Sequence, residues 1–367
     1  MLRLLSSPWP SPQNPARERV GVRVLQCTLM LLLLTSCHRE VEDVPLIHRK
    51  ISVADKLYDV KALSPDKAVV VGYGGKILMT SDGGKSWQEK PSGTELALYR
   101  VQFIDDHTGW ISGQSGLILH TTDGGETWQK RESGTDLSLF SLFFLDKTQG
   151  WVVGDKAVYL KTTSGGESWE INTIQPSLEG ISEDVALAVV DPILYDVHFV
   201  DAQTGWMVGE FGKIYHTTDG GVTWQEQQNS LVGQGGVLDA FAMPTFFSVR
   251  FINAREGAAV GLEGKIALAT DSGQKWTFAA EDLSVLFPDP LYDLHLFPDG
   301  NGWVVGSAGQ VVRSRDGKWE KANLGMEVFT WLRAVDFFNQ EYGWIVGGYG
   351  LILRTTDGGN TWLPCVG

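Results

Sequence analysis

The chain has 367 residues, of which 43 are glycine, about 12% against a usual ~7%, while hydrophobic residues stand at a normal 43%, so it can bury a core yet is dense in turns. Formal charge is −14; residues 1–36 hold four Arg and one Glu, so the remainder carries 26 Lys+Arg against 43 Asp+Glu, or −17. That balance argues against a nucleic-acid partner and against a mainly electrostatic grip on anionic lipid.

The three cysteines, at 27, 37 and 365, make neither a disulfide framework nor a cysteine metal cluster. Residues 24–34 (VLQCTLMLLLL) form an apolar run of eleven behind Arg17, Arg19 and Arg23. The run is too short for a stable helix across a ~30 Å hydrocarbon layer, and it fits the apolar core of an export signal after a basic flank. Leu34-Thr35-Ser36-Cys37 follows and resembles the bacterial lipobox, which makes Cys37 the expected lipidation site and mature N-terminus. The alternative is a short buried helix with an incidental cysteine. The Pro-rich stretch 6–16 lengthens the basic region and fits a translation start further downstream. His38 stands where an aspartate would signal inner-membrane retention in the enteric sorting rule, so the expectation is the periplasmic side of the outer membrane of a Gram-negative bacterium. Residues 37–52 read as the lipidated cysteine and a polar tether.

From residue 53 to 366 one unit repeats. Thr80-Ser-Asp-Gly-Gly-Lys-Ser-Trp87 recurs at Thr121–Trp128, Thr162–Trp169 and Thr217–Trp224, weakened at Ala269–Trp276, shortened by two at Ser314–Trp319, and intact at Thr355–Trp362. The Trp-to-Trp intervals are 41, 41, 55, 52, 43 and 43. Within each unit, runs such as Val101-Gln-Phe-Ile and Gly109-Trp-Ile-Ser-Gly113 alternate with period 2 between Gly and Asp turns, which predicts four short strands per unit. Seven such units predict an all-β, seven-bladed propeller, with blades near 57–93, 98–134, 139–175, 194–230, 246–282, 291–325 and 331–366. The repeated phrase is the Asp box. Asp82, Asp123, Asp219, Asp271, Asp316 and Asp357 are expected to accept backbone N–H groups within a hairpin, a structural duty. A second tryptophan series, Trp110, Trp151, Trp206, Trp303 and Trp344, reads as core.

Catalytic motifs are missing. Gly84-Lys85-Ser86 imitates the end of a phosphate loop, but Met79 stands where the first glycine must be, and no nucleophile elbow, dinucleotide fingerprint or H-E-x-x-H is present. No cofactor or metal is implied. His120 and His216 share a repeat column with Met79, Lys161, Leu268, Arg313 and Arg354; His198 and His295 share one with Lys61, Gln102, Phe143, Arg250 and Asp336. Columns that vary so widely read as strand positions of mixed exposure.

Function is therefore expected at the propeller face, here called top, formed by the loops leading into each blade and the turns between second and third strands. The loops 170–193 and 225–245 exceed the corresponding loop of blade 2 by 14 and 11 residues and are strongly apolar, which suggests a docking surface or extra strands plugging the channel. Around the channel mouth, Asp59, Arg100, Ser141, Asp196, Ser248 and Asp293 form an expected polar ring with Arg333 nearby, and the top turns add Tyr73, Gln114, Asp155, Phe211, Glu263 and Tyr349. Asp59, Tyr73, Arg100, Asp196, Phe211, Arg250, Asp293, Arg333 and Tyr349 are the candidate partner-binding residues; channel lining is the plainer alternative.

The combined Val-x-Phe…Gly-Trp-x-x-Gly…Thr-Thr-Asp-Gly-Gly-x-Thr-Trp unit, in seven copies behind a lipoprotein signal, resembles the photosystem II stability/assembly factor family. The resemblance implies a non-enzymatic, lumen- or periplasm-side assembly factor that helps a membrane subunit enter its complex, and hence an integral or peripheral membrane protein as client. In photosynthetic relatives a basic surface patch is implicated in holding the reaction-centre subunit. Two further readings stand beside it: a glycan- or surface-binding module, and a sialidase-type glycoside hydrolase, because Asp boxes occur there. The hydrolase reading lacks its Phe/Tyr-Arg-Ile-Pro motif in this chain.

Overall fold

Alternating apolar runs broken by Gly and Asp turns can pair only with near neighbours, and the chain does so throughout. The structure, a computed structural model, describes residues 50–174, 191–227, 231, 243–279 and 288–365, within the unit Arg49–Gly367. Seven four-stranded antiparallel sheets form, each from four consecutive strands. The first strands are Leu57–Ala62, Leu98–Phe103, Leu139–Phe144, Leu194–Phe199, Phe246–Phe251, Leu291–Leu296 and Leu332–Phe337. Successive first strands pack on one another around a central axis, and Leu57–Ala62 packs on Leu332–Phe337, which closes the ring of seven blades.

Six of the seven second strands, Gly109–Gly113 and Gly150–Gly154 among them, are buried at every residue, because each is covered on both faces by neighbouring blades. The core is therefore the set of spaces between blades. Trp110, Trp151 and Trp206 each lie flat on the phenylalanine ending the next blade's first strand, with centroids 3.7, 3.6 and 3.5 Å from Phe144, Phe199 and Phe251. Each indole N–H then donates to a carbonyl in the next blade's Asp-box turn, at Gly165, Gly220 and Ser272. The Asp-box tryptophans Trp169, Trp224 and Trp276 meet the other side of the same phenylalanines edge-on. One phenylalanine is thus held between two tryptophans from two blades.

The Asp boxes of blades 1, 2, 4 and 7 share one bonding pattern. In blade 2, Asp123 accepts from the Thr121 hydroxyl (2.7 Å), the Thr127 hydroxyl (2.6 Å) and the Thr127 N–H (2.9 Å). The Thr127 hydroxyl bond is the chief reason the Asp123 carboxyl is held down at about 2. Asp82 and Asp219 are likewise held at about 2, and Asp357 is lowered. Asp271 retains the bond from the Lys275 N–H. Asp316 departs from the pattern: with two residues fewer, Asp316 (φ +50°) and Gly317 (φ +75°) make a two-residue hairpin turn of type I′ between Val311–Arg315 and Lys318–Lys321.

The seam between blades 7 and 1 has its own chemistry. Ala62 occupies the phenylalanine slot, so Trp87 meets Trp344 directly, edge-on at 5.7 Å. Arg354 lies over Trp344 and donates to the Gly83 and Pro65 carbonyls and to Asp66. Asp336 of blade 7 accepts from Lys61 and from the Ala62 N–H of blade 1, both at 2.9 Å. All four strands of the last blade come from Leu332–Pro364, and the N-terminal side contributes a single bridge there, Lys56 to Gly348, among the described residues.

Trp151→Ala removes the flat contact with Phe199 and the bond to the Gly220 carbonyl, and is expected to cost about 3–5 kcal/mol. Leu363→Ala, at a position 67% exposed, should cost under about 0.5 kcal/mol. Urea unfolding monitored by circular dichroism checks both.

Candidate functional site

Every first strand carries the same irregularity. Pairing to the second strand skips one residue between Leu57 and Asp59, Leu98 and Arg100, Leu139 and Ser141, Leu194 and Asp196, Phe246 and Ser248, Leu291 and Asp293, and Leu332 and Ala334. An extra residue at such a bulge has no partner across the strand, and its side chain is re-aimed. The seven extra residues are Tyr58, Tyr99, Phe140, Tyr195, Phe247, Tyr292 and Arg333. Six aromatic rings and one guanidinium therefore collect at one end of the channel.

The rings touch in blade order, with centroid separations of 5.9, 5.1, 5.5, 5.0 and 5.6 Å from Tyr58 round to Tyr292. Arg333 lies over Tyr292 at 5.4 Å and donates to its carbonyl, while Trp331 stacks on Tyr58 at 6.0 Å. These half-buried rings form an aromatic collar at the mouth. Burial, with Glu210 nearby, pushes the Tyr195 hydroxyl up to about 12.

The expected polar ring lies one residue deeper. Asp59, Asp196 and Asp293 are at most 3% exposed; both oxygens of Asp196 and Asp293 are engaged, and one of Asp59. Asp59 accepts the Val101 N–H, Asp196 the Val249 N–H and Asp293 the Val335 N–H, so each ties its own blade to the next. Arg100 lies 3.5 Å from Asp59 and 3.4 Å from Asp293; Arg250 bonds Asp196 at 2.6 Å; Ser141 and Ser248 donate to Asp196. Burial pushes the Asp59 carboxyl up to about 7, with Arg100 opposing and Asp293 adding to the shift.

Below this layer, the column read as variable strand positions lines a cavity of about 240 Å³ and joins further blades. Gln102 exchanges two bonds with the Phe144 backbone, His198 accepts from the Phe251 N–H, and Asp336 takes His295 as well as Lys61. Lys61 and His295 hold the Asp336 carboxyl below its ordinary range although burial opposes this, and burial lowers His198 to about 4. Among the described residues no group of three or more His, Cys, Asp or Glu is placed to hold a metal.

The structure thus brings Asp59, Arg100, Asp196, Arg250 and Asp293 together in the channel wall, where they hold blades to one another. Arg333 is the charged candidate within the collar itself, while Arg100, Asp196 and Asp293 line, with the six rings, the small pocket the collar encloses. Tyr73 and Tyr349 are exposed on the top turns of blades 1 and 7, and half-buried Phe211 occupies the turn of blade 4. At these turns six blades hold a non-glycine residue in the left-handed region: Ser115, Lys156, Phe211, Glu263, Ala308 and Tyr349, with φ of +53° to +58°. Each costs on the order of 1 kcal/mol. The next position needs glycine in most blades: at Gly116 (φ +72°) a Cβ would land on the Thr135 carbonyl oxygen. The two long apolar loops fall largely at 175–190 and 228–242, and apart from residue 231 those stretches lie outside the described residues. Sequence reasoning missed the collar, although its column, Tyr-Tyr-Phe-Tyr-Phe-Tyr-Arg, was there to be read.

The sequence model of the family described as photosynthesis system II assembly factor YCF48 matches residues 40–138, 181–282 and 279–365. The chain belongs to this family. A curated relative, the photosystem II assembly lipoprotein Ycf48 of Synechococcus sp. (strain CC9902), is 28% identical over 127 residues; that match spans 34% of this chain and 35% of the relative, about a third of its length. A solved structure described as YCF48 bound to D1 peptide superposes with a TM-score of 0.63 at 20% identity, over 83% of this chain and 95% of that one. The GH74 xyloglucanase of Xanthomonas campestris superposes at 0.61 and 12% identity, over 85% of this chain and 54% of that one. At these identities both likenesses speak to the fold alone.

Asp59→Asn keeps the shape of the side chain and removes its ionisation. A folded-state carboxyl near 7, above its unfolded 3.8, gives stability that is complete below the unfolded value and is lost as pH rises toward 7. The variant should therefore lose less melting temperature than the parent between those two pH values, as read by calorimetry across the range.

Proposed function

We propose that this member of the YCF48 family is a non-enzymatic, lipid-anchored propeller on the periplasmic side that holds an extramembrane segment of a membrane-protein client during assembly, with the aromatic collar as the contact. The collar is the observation that carries this reading. Six rings with one guanidinium give a large, rigid contact area that loses little side-chain entropy on binding, the composition of interface hot spots. Beneath it the channel carboxylates are committed to backbone amides, which leaves Asp59, Asp196 and Asp293 poorly placed for acid–base work. A family relative holding a peptide supports a polypeptide occupant. The lipobox at Cys37 supports the anchor, and His38 the outer membrane.

Aromatic rings also stack on sugars, so a glycan is the second reading, favoured by the same collar. Crosslinking mass spectrometry on native-host membranes separates the two. Links from Lys56 and Lys156, exposed at the top face, to one integral membrane protein are expected, and Tyr195→Ala with Phe247→Ala should reduce them several-fold without lowering stability comparably. Links confined to Lys85 and Lys275 on the Asp-box face would overturn the assignment of the collar. Binding of free oligosaccharide that the double variant abolishes, with no protein crosslinks, would move the function to glycan capture.

A further inference from the structure

Among the large apolar residues exposed in the described chain, four occupy one arc of the top face: Phe329 (86% exposed), Val53 (80%), Tyr349 (69%) and Tyr73 (58%). Backbone contacts make the arc continuous across blades 6, 7 and 1. The Gly309 N–H bonds the Thr330 carbonyl beside Phe329, and the Gly348 N–H bonds the Trp331 carbonyl. The Gly350 N–H bonds the Asp55 carbonyl, Lys56 bridges to Gly348, and the Tyr73 N–H bonds the Lys56 carbonyl. The Lys56 ammonium lies over the Tyr73 ring at 5.3 Å, and Lys50 is exposed at the same edge. The collar does not use this arc; Trp331 and its stack on Tyr58 connect the two.

We infer that this arc is a membrane-contact rim, with a lipid bilayer surface as its occupant. The inference rests on the proposed lipid anchor. The described chain begins at Lys50 on this same edge, thirteen residues after Cys37. Fully extended, that length reaches at most ~45 Å, so the rim is the part of the propeller tied nearest to an acylated cysteine. Its residues match the place. Tyrosine and phenylalanine bury apolar edges at the level of lipid headgroups, and lysines beside them keep their ammonium groups in water. The charge of −17 beyond residue 36 repels anionic lipid, so the hold must come from apolar contact and should survive high salt. A propeller lying on this rim turns the top face, and with it the collar, toward the bilayer, where the extramembrane segment of a membrane protein is within reach.

The test uses the acylated mature chain purified from its host, with Cys365→Ser, and an environment-sensitive fluorophore on a single introduced cysteine. Labels go at Phe329→Cys, Tyr349→Cys and, on the Asp-box face, Val222→Cys. The vesicles contain phosphatidylethanolamine and phosphatidylglycerol with headgroup spin labels. The inference expects blue-shifted emission at 329 and 349, quenched several-fold more than at 222 and unchanged at high salt. Flotation with the vesicles but equal, weak quenching at all three positions would leave the anchor standing and overturn the rim. Failure to float, or protection of 329 and 349 only in native membranes that contain the client, would overturn it too. Cys37→Ser protein that floats and shows the same quenching pattern would support the rim as a contact that holds without an acyl chain, while the mass of the parent's N-terminal peptide, acylated at Cys37 or not, decides the anchor reading separately.

Discussion

Packing of one blade's second strand on the next blade's first strand is the contact on which this ring depends, and at three of the seven seams it is a tryptophan laid flat on a phenylalanine. Second strands such as Gly150–Gly154 are buried on both faces, so no blade can bury its own core alone and each borrows the apolar face of its neighbour. The Trp–Phe–Trp sandwich meets that need and fixes direction, because the indole N–H must find the Asp-box carbonyl one blade further on. The Asp box serves the same end. By satisfying its amides from one carboxylate and one threonine hydroxyl, it makes a rigid hairpin that presents a carbonyl to the preceding blade and an indole edge to its own phenylalanine.

The channel repeats this logic in polar form. Strands packed around an axis point side chains at one another about a cavity of about 240 Å³, and buried polar groups there must find partners. The carboxylates of Asp59, Asp196, Asp293 and Asp336 do so by taking backbone N–H groups of the neighbouring blade, with Arg100, Arg250 and Lys61 balancing their charge. At the seam, where alanine replaces phenylalanine, Asp336 and Arg354 supply much of the closure. Charge in the channel is therefore mortar between blades, while the mouth and rim above it remain for recognition.

The seven bulges divide these two duties. One inserted residue per first strand moves a side chain from the wall to the mouth, so neighbouring positions in sequence, Tyr58 and Asp59 or Tyr195 and Asp196, stand in the collar and in the blade-joining wall respectively. A strict alternation would have placed Tyr58 and Val60 on one face; the skipped pairing breaks it.

The sequence by itself determined the fold class, the number of blades, the structural duty of most Asp boxes and the family, because each is written in a repeat whose period and turn residues are local. The exposed Tyr73 and Tyr349 were also legible, since a turn between two predicted strands is necessarily at the surface. Tertiary structure alone decided which polar residues face outward. Asp59 and Asp293 read as a recognition ring in one dimension, yet they lie in a wall formed by strands from different blades, and no local pattern tells a mouth from a wall a few ångströms deeper. The collar needed both the bulge and the docking of blade on blade, since each ring meets one from the next blade, and the circle closes through Trp331 and Arg333 only when the last blade docks on the first. The collar is assembled from one residue per blade, and that is the kind of site a linear reading sees only as a column.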